Sequence, residues 1–274
     1  MPAAFELTIR PRKGWQSIDF KEIYLYHELF AFLVWRDIKI RYRQTLLGGL
    51  WAVLQPFIAM LIFAFIFGRL THVESEGVPY KLFAYAGLAP WTFFSTSVTQ
   101  SSNSLLAHQQ LVSKIYFPRI FIPLGAIGAL LLDLVLSLGL FAFMMLYFHW
   151  PVTLSVLWLP VFTLVAVLCA SGVGLTLSAL NVSFRDVKYV VPFMVQMGLF
   201  ITPVIYPEHY FPHHWRVLLG LNPMAGVVIG FRYALLHTPP SWNIMGLSMT
   251  TSVLLFAFGL LIFRRMENRF ADII

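Results

Sequence analysis

The chain has 274 residues, of which 59% are hydrophobic and only 11% are charged, and its mean hydropathy is +0.76. A soluble protein carries about 25% charged residues, so this chain has too few polar groups to cover a globular surface in water. The composition therefore excludes a soluble domain and predicts a membrane protein, and the net charge of +7 is interpreted through membrane topology. Cys169, the single cysteine, is predicted to be a packing residue.

The N-terminal part contains a basic segment that leads directly into an apolar one, WRDIKIRYRQTLLGGLWAVLQPF at 35–57. Basic residues at helical spacing share one face of this segment: Arg36, Lys39 and Arg43. Apolar residues share another face: Val34, Ile38 and Tyr42. The pattern predicts an amphipathic helix along the cytoplasmic membrane surface, within a cytoplasmic segment 1–48 that precedes a transmembrane domain 49–274. The alternative is a polar flank that only sets topology.

Six later segments are mostly apolar and have about the 20 residues that a membrane-spanning helix needs. They are Leu50–Phe67, Leu82–Ser102, Arg119–Phe148, Val156–Leu180, Val187–Tyr206 and Ile244–Phe263. Pro192 and Pro203 interrupt the fifth segment, and prolines often mark bends in membrane helices. The predicted fold is an all-α polytopic membrane protein with six transmembrane helices. In the fourth segment, small residues at a spacing of four predict close helix packing: Ala170, Gly174 and Ser178.

Basic residues orient these helices. Of the 19 Lys and Arg residues, 15 lie in the N-terminal segment, the loops after spans two and four, and the C-terminus. The positive-inside rule therefore predicts that both termini lie in the cytoplasm. The connection Pro207–Trp242 falls on the outer side, where its apolar stretches Val217–Leu221 and Val227–Leu236 are too short to span. They are predicted to be short re-entrant or interfacial helices; a folded extracellular cap is the alternative.

No catalytic motif stands out. The sequence has no GxxxxGK[ST], HExxH, CxxC or GxSxG, so the chain is not expected to hydrolyse ATP or to be an enzyme. His209, His213 and His214 are favoured as an interfacial cluster over a metal site, and no metal or cofactor is expected in this chain. Asp133 lies deep in a span, where a charge is costly; an interhelical hydrogen bond is favoured over a proton or substrate contact.

Aromatic residues make up 16% of the chain. Trp91 lies near a span end, where aromatic belts occur, while other rings lie deeper: Phe93, Phe94, Phe193 and Phe200. Aromatic faces stack on sugar rings, so these residues are candidates for a path that carries a glycan; lipid-facing rings are the alternative. The loops His108–Pro118 and Asn181–Lys188 have the size of segments that dock into a soluble partner; ordinary short loops are the alternative.

Five stretches together resemble a known family: WRDIKIRYRQTLLGGLWAVLQP, YAGLAPWTFFS, LVSKIYFPR, NVSFRDVKYVVPF and NPMAGVVIGFR, which begin at residues 35, 85, 111, 181 and 222. Their order and spacing resemble the permease subunit of ABC-2 type exporters of cell-surface polysaccharide, the group that handles O-antigen, capsule and teichoic acid. The resemblance implies a homodimer bound to two cytoplasmic ATPase subunits, which hold ATP and Mg²⁺. It also implies a channel at the dimer axis that carries a lipid-linked glycan outward, with the short outer helices at its exit.

The resemblance further implies which surfaces meet the ATPase. They are the N-terminal helix, with Arg36, Lys39 and Arg43, and a loop whose candidate residues are Gln109, Leu111, Lys114 and Tyr116. Two other function classes are weighed: an ABC-2 exporter of another cargo such as a drug, haem or lipid, and a membrane-embedded glycosyl- or acyltransferase. An enzyme would need clustered acids or histidines at one membrane face, whereas Asp133, Asp186 and Glu208 are predicted at different depths or sides.

Overall fold

The computed structural model describes residues 24–43, 48–70, 75, 77–114, 117–268 and 270. Regular structure in these ranges is helical, which confirms the predicted all-α class but not the number of spans. The α-helices are α1 (His27–Tyr42), α2 (Leu50–Phe63), α3 (Tyr80–Ala107), α4 (Gln109–Lys114), α5 (Phe121–Tyr147), α6 (Leu159–Ser183), α7 (Val187–Ile201), α8 (His213–Leu221), α9 (Pro223–Leu236) and α10 (Trp242–Glu267). A π-helix, Ala64–Leu70, continues α2, and the 3₁₀-helices Leu154–Trp158 and Glu208–Tyr210 precede α6 and α8.

Helix α3 occupies the centre of the bundle, although its C-terminal half is rich in Ser and Thr. Every residue from 82 to 91 is buried. Further along, hydroxyl groups donate to carbonyl oxygens one turn earlier: Thr99 to Ser95 at 2.8 Å and Ser104 to Ser101 at 2.7 Å. Ser95 and Ser102 bond in the same way, so much of this polar sequence is satisfied within the helix in the middle of an apolar bundle. The buried hydroxyls of Ser97 and Ser101 have no hydrogen-bond partner among the described residues.

Small residues bring α6 into close contact with α3 and α10. A Cβ atom on Gly172 would lie 2.5 Å from the carbonyl carbon of Leu255, and one on Gly174 would lie 2.6 Å from the Oγ of Ser101. Any larger side chain would force these helices apart, so the predicted packing role of the small-residue stripe is confirmed. Cys169 is fully buried in the same helix, which confirms its predicted packing role.

Four helical segments in the described part of the chain are long and apolar enough to cross a membrane: Leu50–Leu70, Phe121–Tyr147, Leu154–Ser183 and Trp242–Glu267. They correspond to the first, third, fourth and sixth predicted spans. The second predicted span is α3, which has 28 residues but carries the polar half described above. The fifth is α7, an apolar helix of 15 residues, which is about 22 Å long.

The fifth predicted span was expected to continue to Tyr206, and this boundary is wrong. Helix α7 ends at Ile201, and Thr202 adopts an extended conformation with φ −87° and ψ 139°. The cause is local, because Pro203 disfavours helical backbone at the residue before it. The residues that follow, 202–206, form turns rather than a helix.

The two short apolar helices predicted in the outer connection are present as α8 and α9. The axes of the two helices meet at 98°, and Asn222 forms the corner. Its side-chain oxygen accepts a hydrogen bond from the Met224 backbone N–H at 3.0 Å, which caps the start of α9, and Pro223 occupies the first helical position. A proline and an N-cap at this point fix the direction in which α9 leaves the corner.

Helix α1 runs beside α5. Phe30 contacts Phe121, with ring centroids 5.4 Å apart, and Tyr42 reaches Asp133 about three turns further along both helices. Between these contacts, a Cβ on Gly128 would lie 3.1 Å from Val34. Since the contacts advance in the same direction along both helices, α1 follows α5 rather than crossing it. Because α5 is a candidate membrane span, this course differs from the helix along the membrane surface that the sequence predicts; apolar side chains of α1, such as Phe30 and Val34, pack on α5 instead.

Candidate functional site

Two ends of the bundle carry the candidate functional residues. We call the end formed by α1, α4 and the last turn of α10 the basic end, and the end formed by α8 and α9 the bent end. Apolar side chains hold the basic end together in one cluster: Leu33, Leu105, Val112, Phe117, Ile120, Phe121, Ile122, Leu175, Ala179, Val182, Phe263 and Phe270. This cluster joins α1 and α4 to the long helices.

Helix α4 is attached to the basic end by one buried face. Val112 is 2% exposed and is the buried residue of this helix. Gln109 and Lys114 are exposed, and Leu111 is half-buried, so these three predicted contact residues remain open to a partner to different degrees. Tyr116, the fourth predicted residue of this loop, lies outside the described residues.

The predicted basic face of α1 divides in two. Lys39 and Arg43 are exposed, and Arg43 follows the helix in an extended conformation. Arg36 instead turns towards the protein: its Nη2 donates to the Asp37 carboxylate at 2.8 Å and to Nε2 of His108 at 2.7 Å. Arg36 is thus engaged within the chain, while Lys39 and Arg43 present positive charge to the outside.

The C-terminal end of α1 contacts Asp133 on α5. Its carboxylate forms an ion pair with Arg41 at 2.6 Å and accepts a hydrogen bond from the Tyr42 hydroxyl. Burial and then the Asp133 carboxylate raise the pKa of Tyr42 to about 12, so the phenol keeps its proton and remains a donor. The interhelical hydrogen bond predicted for Asp133 is confirmed, and the Arg41 ion pair is an addition that the sequence did not indicate.

Three of the five candidate path aromatics line one cavity of about 550 Å³ between α3, α6, α7, α9 and α10. Trp91 and Phe94 come from α3, and Phe193 comes from α7. Gly198 allows the close approach of these helices, since a Cβ there would lie 2.8 Å from the Trp91 ring. The walls of the cavity are mainly apolar, and it opens to the surface beside α7.

The other two aromatics lie elsewhere. Phe93 is buried on another side of α3 and lines a separate cavity of about 210 Å³ with Arg41, Tyr42 and Asp133. Phe200 is 52% exposed on α7, beyond the first cavity. Phe193, at 62% exposure, faces outward like Phe200 and contributes only part of its ring to the cavity wall. Within one chain the five rings therefore do not form one continuous surface.

Arg232 is a buried polar residue that is not among the site residues predicted from the sequence. Its side chain is buried in α9, and it donates to the carbonyl oxygens of Val204 at 2.6 Å and Pro203 at 2.7 Å. The guanidinium also lies over the Phe83 ring, 3.6 Å from its centroid, a cation–π arrangement. One arginine thus holds the non-helical segment after α7 against α3 and α9. The feature of the sequence that could have indicated this role is a single Arg within the apolar stretch 227–236.

The histidines of the bent end lie around the 3₁₀-helix Glu208–Tyr210. His209 stacks on Tyr210, with centroids 5.0 Å apart; the side chains of His213 and His214 lie outside the described residues. Among the described residues, no group of three or more His, Cys, Asp or Glu side chains is placed to hold a metal ion.

Residues 28–236, from the first turn of α1 to the end of α9, match the family model described as ABC-2 type transporter. The chain belongs to the ABC-2 type transporter family. The resemblance predicted from the five sequence stretches is confirmed at this level.

Relatives of this ABC-2 transporter chain match it over almost its whole length. The O-antigen export system permease protein RfbA of Myxococcus xanthus is 32% identical over 258 residues, 92% of this chain and 97% of the relative. A protein of the same name from Klebsiella pneumoniae is 28% identical over 248 residues, 90% of this chain and 95% of the relative. The polysialic acid transport protein KpsM of Escherichia coli is 28% identical over 242 residues, 85% of this chain and 91% of the relative.

Proposed function

We propose that this chain is the transmembrane subunit of an ATP-driven exporter that moves a lipid-linked cell-surface polysaccharide, of the O-antigen or capsule type, across the bacterial inner membrane. The observation that carries the proposal is the near full-length similarity to permeases named for two different glycans, O-antigen and polysialic acid. Both named cargoes are polysaccharides, so a glycan is the cargo class that accounts for both similarities.

The energy source in this proposal is a pair of cytoplasmic ATPase subunits, which bind ATP and Mg²⁺. The chain itself lacks the GxxxxGK[ST] sequence that cradles nucleotide phosphates, and it is therefore not the enzyme of the system. Two surfaces of the basic end suit contact with an ATPase: the exposed face of α4, with Gln109 and Lys114, and the exposed cations Lys39 and Arg43 on α1.

We propose a homodimer, and the helices with the most outward apolar surface support it. Helix α7 buries one residue, Val191, and α2 buries Pro56 and Met60. The exposed apolar side chains of α2 and α7 must face lipid or another protein. We place a second copy of the chain on these helices, so that Phe193 and Phe200 of each copy face the space between them and stack on passing sugar rings.

Export can be tested in cells that make the lipid-linked glycan but lack their own exporter. Expression of this chain together with its cognate ATPase should restore glycan on the surface of intact cells, detected with an impermeant label. The matched control carries a substituted P-loop lysine in the ATPase and should leave the glycan inside. Surface glycan in the absence of this chain, or export of a drug or haem but not of glycan, would contradict the proposal.

The aromatic path can be tested in the same cells. Phe193→Leu and Phe200→Leu keep the apolar character and remove a stacking face worth about 1 kcal/mol, so each should lower export about fivefold while assembly with the ATPase persists. Phe93→Leu is the matched control, because its buried ring lines a different cavity; it should lower the amount of folded protein and not the export per transporter. Unchanged export in both α7 variants would remove these rings from the path.

A further inference from the structure

His108 connects two helices that are far apart in the sequence. It lies between α3 and α4, and its Nε2 is 2.7 Å from Nη2 of Arg36 on α1, 72 positions away. Its Nδ1 is 2.8 Å from the carbonyl oxygen of Ser104 in the last turn of α3. The imidazole is therefore engaged on both of its nitrogens, each by a different helix.

The partners determine where the imidazole carries its proton. A carbonyl oxygen can only accept, so Nδ1 donates to Ser104. A guanidinium can only donate, so Nε2 must be the unprotonated nitrogen that accepts from Arg36. The two bonds are therefore compatible only with the Nδ1–H tautomer, and the bond to Ser104 prepares His108 as an acceptor for Arg36.

The backbone of His108 also joins the end of α3 to the start of α4. Its N–H donates to the Ser104 carbonyl at 3.1 Å and ends α3, while its own carbonyl accepts from Leu111 at 3.0 Å and Val112 at 3.1 Å and begins α4. Because the residue that begins α4 also accepts from Arg36, a shift of α1 reaches the first turn of α4 directly. Val112, and in part Leu111, attach this short helix to the apolar cluster of the basic end.

The far end of α1 is held as well. Arg41 and Tyr42 contact Asp133 on α5, so α1 is attached by polar contacts at its middle and at its C-terminal end. A helix fixed at two points along its length is restricted from rotating independently of α4 and α5.

We propose that His108 is a positioning residue that keeps the exposed face of α4 in register with α1. The two surfaces assigned above to the ATPase, Lys39 and Arg43 on one side and Gln109 and Lys114 on the other, would then respond to the ATPase as one unit. This inference rests on the proposed function, because the partner it concerns is the ATPase.

Two substitutions of His108 separate its two bonds. In His108→Gln the side-chain oxygen takes roughly the position of Nε2 and still accepts from Arg36. In His108→Asn the side-chain amide takes roughly the position of Nδ1 and still donates to Ser104, but it does not reach Arg36. His27→Asn is the control on α1, since the exposed His27 bonds to the Tyr24 carbonyl at 2.7 Å and stacks on the Tyr24 ring, both within one helical turn.

Two quantities are measured for the full chain together with its ATPase. The first is the hydrogen-exchange rate of residues 109–114 in the complex, and the second is the amount of surface glycan produced per ATP hydrolysed. His108→Asn should speed exchange in α4 and lower export per ATP, each about tenfold, as expected for a lost bond to a charged group. His108→Gln and His27→Asn should stay within about twofold of the parent. Arg36→Ala should reproduce the Asn variant, and the double variant should be no worse than either single one, because both remove the same bond.

Equal behaviour of the Asn and Gln variants, or additive losses in the double variant, would overturn the inference. The exchange measurement needs no glycan, so it separates the two proposals. If the parent exports no glycan but the Asn and Gln variants still differ in exchange, the proposed cargo is wrong and the positioning role stands.

Discussion

Arg232 at the bent end and Asp133 on α5 are both charged side chains within apolar helices, and they are stabilised in different ways. Arg232 donates to main-chain carbonyls of the segment after α7 and lies over the Phe83 ring. Asp133 is bound by two side chains, those of Arg41 and Tyr42 on α1. Main-chain partners cannot leave without a change of fold, whereas side-chain partners can separate by changing rotamer.

This difference suggests how the two regions behave in a transport cycle. The bent end is held by a cation whose acceptors belong to the backbone, so it should keep one geometry. The contact between α1 and α5 can open and close while both helices remain intact. The basic end is thus the region suited to respond to a partner, and the bent end the region suited to remain fixed.

The basic end and the bent end should lie on opposite sides of the membrane. In a Cys169→Ala background, Tyr210→Cys at the bent end should react with an impermeant maleimide in intact spheroplasts. Ser113→Cys on α4 should react only after permeabilisation, because the positive-inside rule predicts that this end lies in the cytoplasm. The expected difference is all or none, and it is read from the labelled band on a gel. Labelling of both positions from the same side would remove the basis of the comparison.

Removal of the Arg232 charge should have the next largest effect. Arg232→Met leaves the buried carbonyls of Pro203 and Val204 without this donor, and each such loss costs about 1–3 kcal/mol. We expect a stability loss of about 3 kcal/mol, measured as a lower midpoint of thermal unfolding in detergent. Arg232→Lys keeps the charge but not the planar group that reaches several acceptors, so its loss should be smaller. A Met variant as stable as the parent would show that the bent end does not depend on this residue.

A smaller effect is expected at Asp133. Asp133→Ala should cost about 1–2 kcal/mol, at the low end for a broken ion pair because Arg41 can turn towards water. The effect should be confined to α1, which would become accessible to limited proteolysis. Replacing both partners, Arg41→Met with Asp133→Leu, should restore protection, since an apolar pair of similar volume can substitute for an ion pair. Greater sensitivity of the double variant than of Asp133→Ala would contradict a purely local role.

Much of the fold could be predicted because membrane helices follow from composition. The apolar runs that became α2, α5, α6 and α10 are evident in the sequence, and the small residues of α6 indicated its close packing. The end of α7 was also indicated by the sequence, since Pro203 disfavours helical backbone at Thr202. The prediction followed hydropathy alone and therefore placed the end of the span beyond this point. The polar half of α3 shows the opposite case, a helix whose low hydropathy conceals its central position.

The site contacts could be predicted less well, because their partners are distant or are not side chains. Asp133 meets residues 91 or more positions away, and Arg36 meets His108 across 72 positions. Periodicity within one helix places such residues on a face but does not identify the partner. The acceptors of Arg232 are backbone carbonyls, which every residue possesses and which therefore leave no mark in the sequence.

The close approach of α6 and α10 also bears on which helices can move. Gly172 meets the backbone of α10, and a Cβ on Gly259 would meet the Gly172 backbone in turn. Two helices in main-chain contact cannot slide or rotate past each other without a clash. Helices α6 and α10 therefore form a rigid pair. Helix α2 and the first turns of α7, away from the segment that Arg232 holds, bury few residues. In the proposed exporter, displacement of these parts relative to α6 and α10 would widen a passage for a bulky polymer at the least cost to the core.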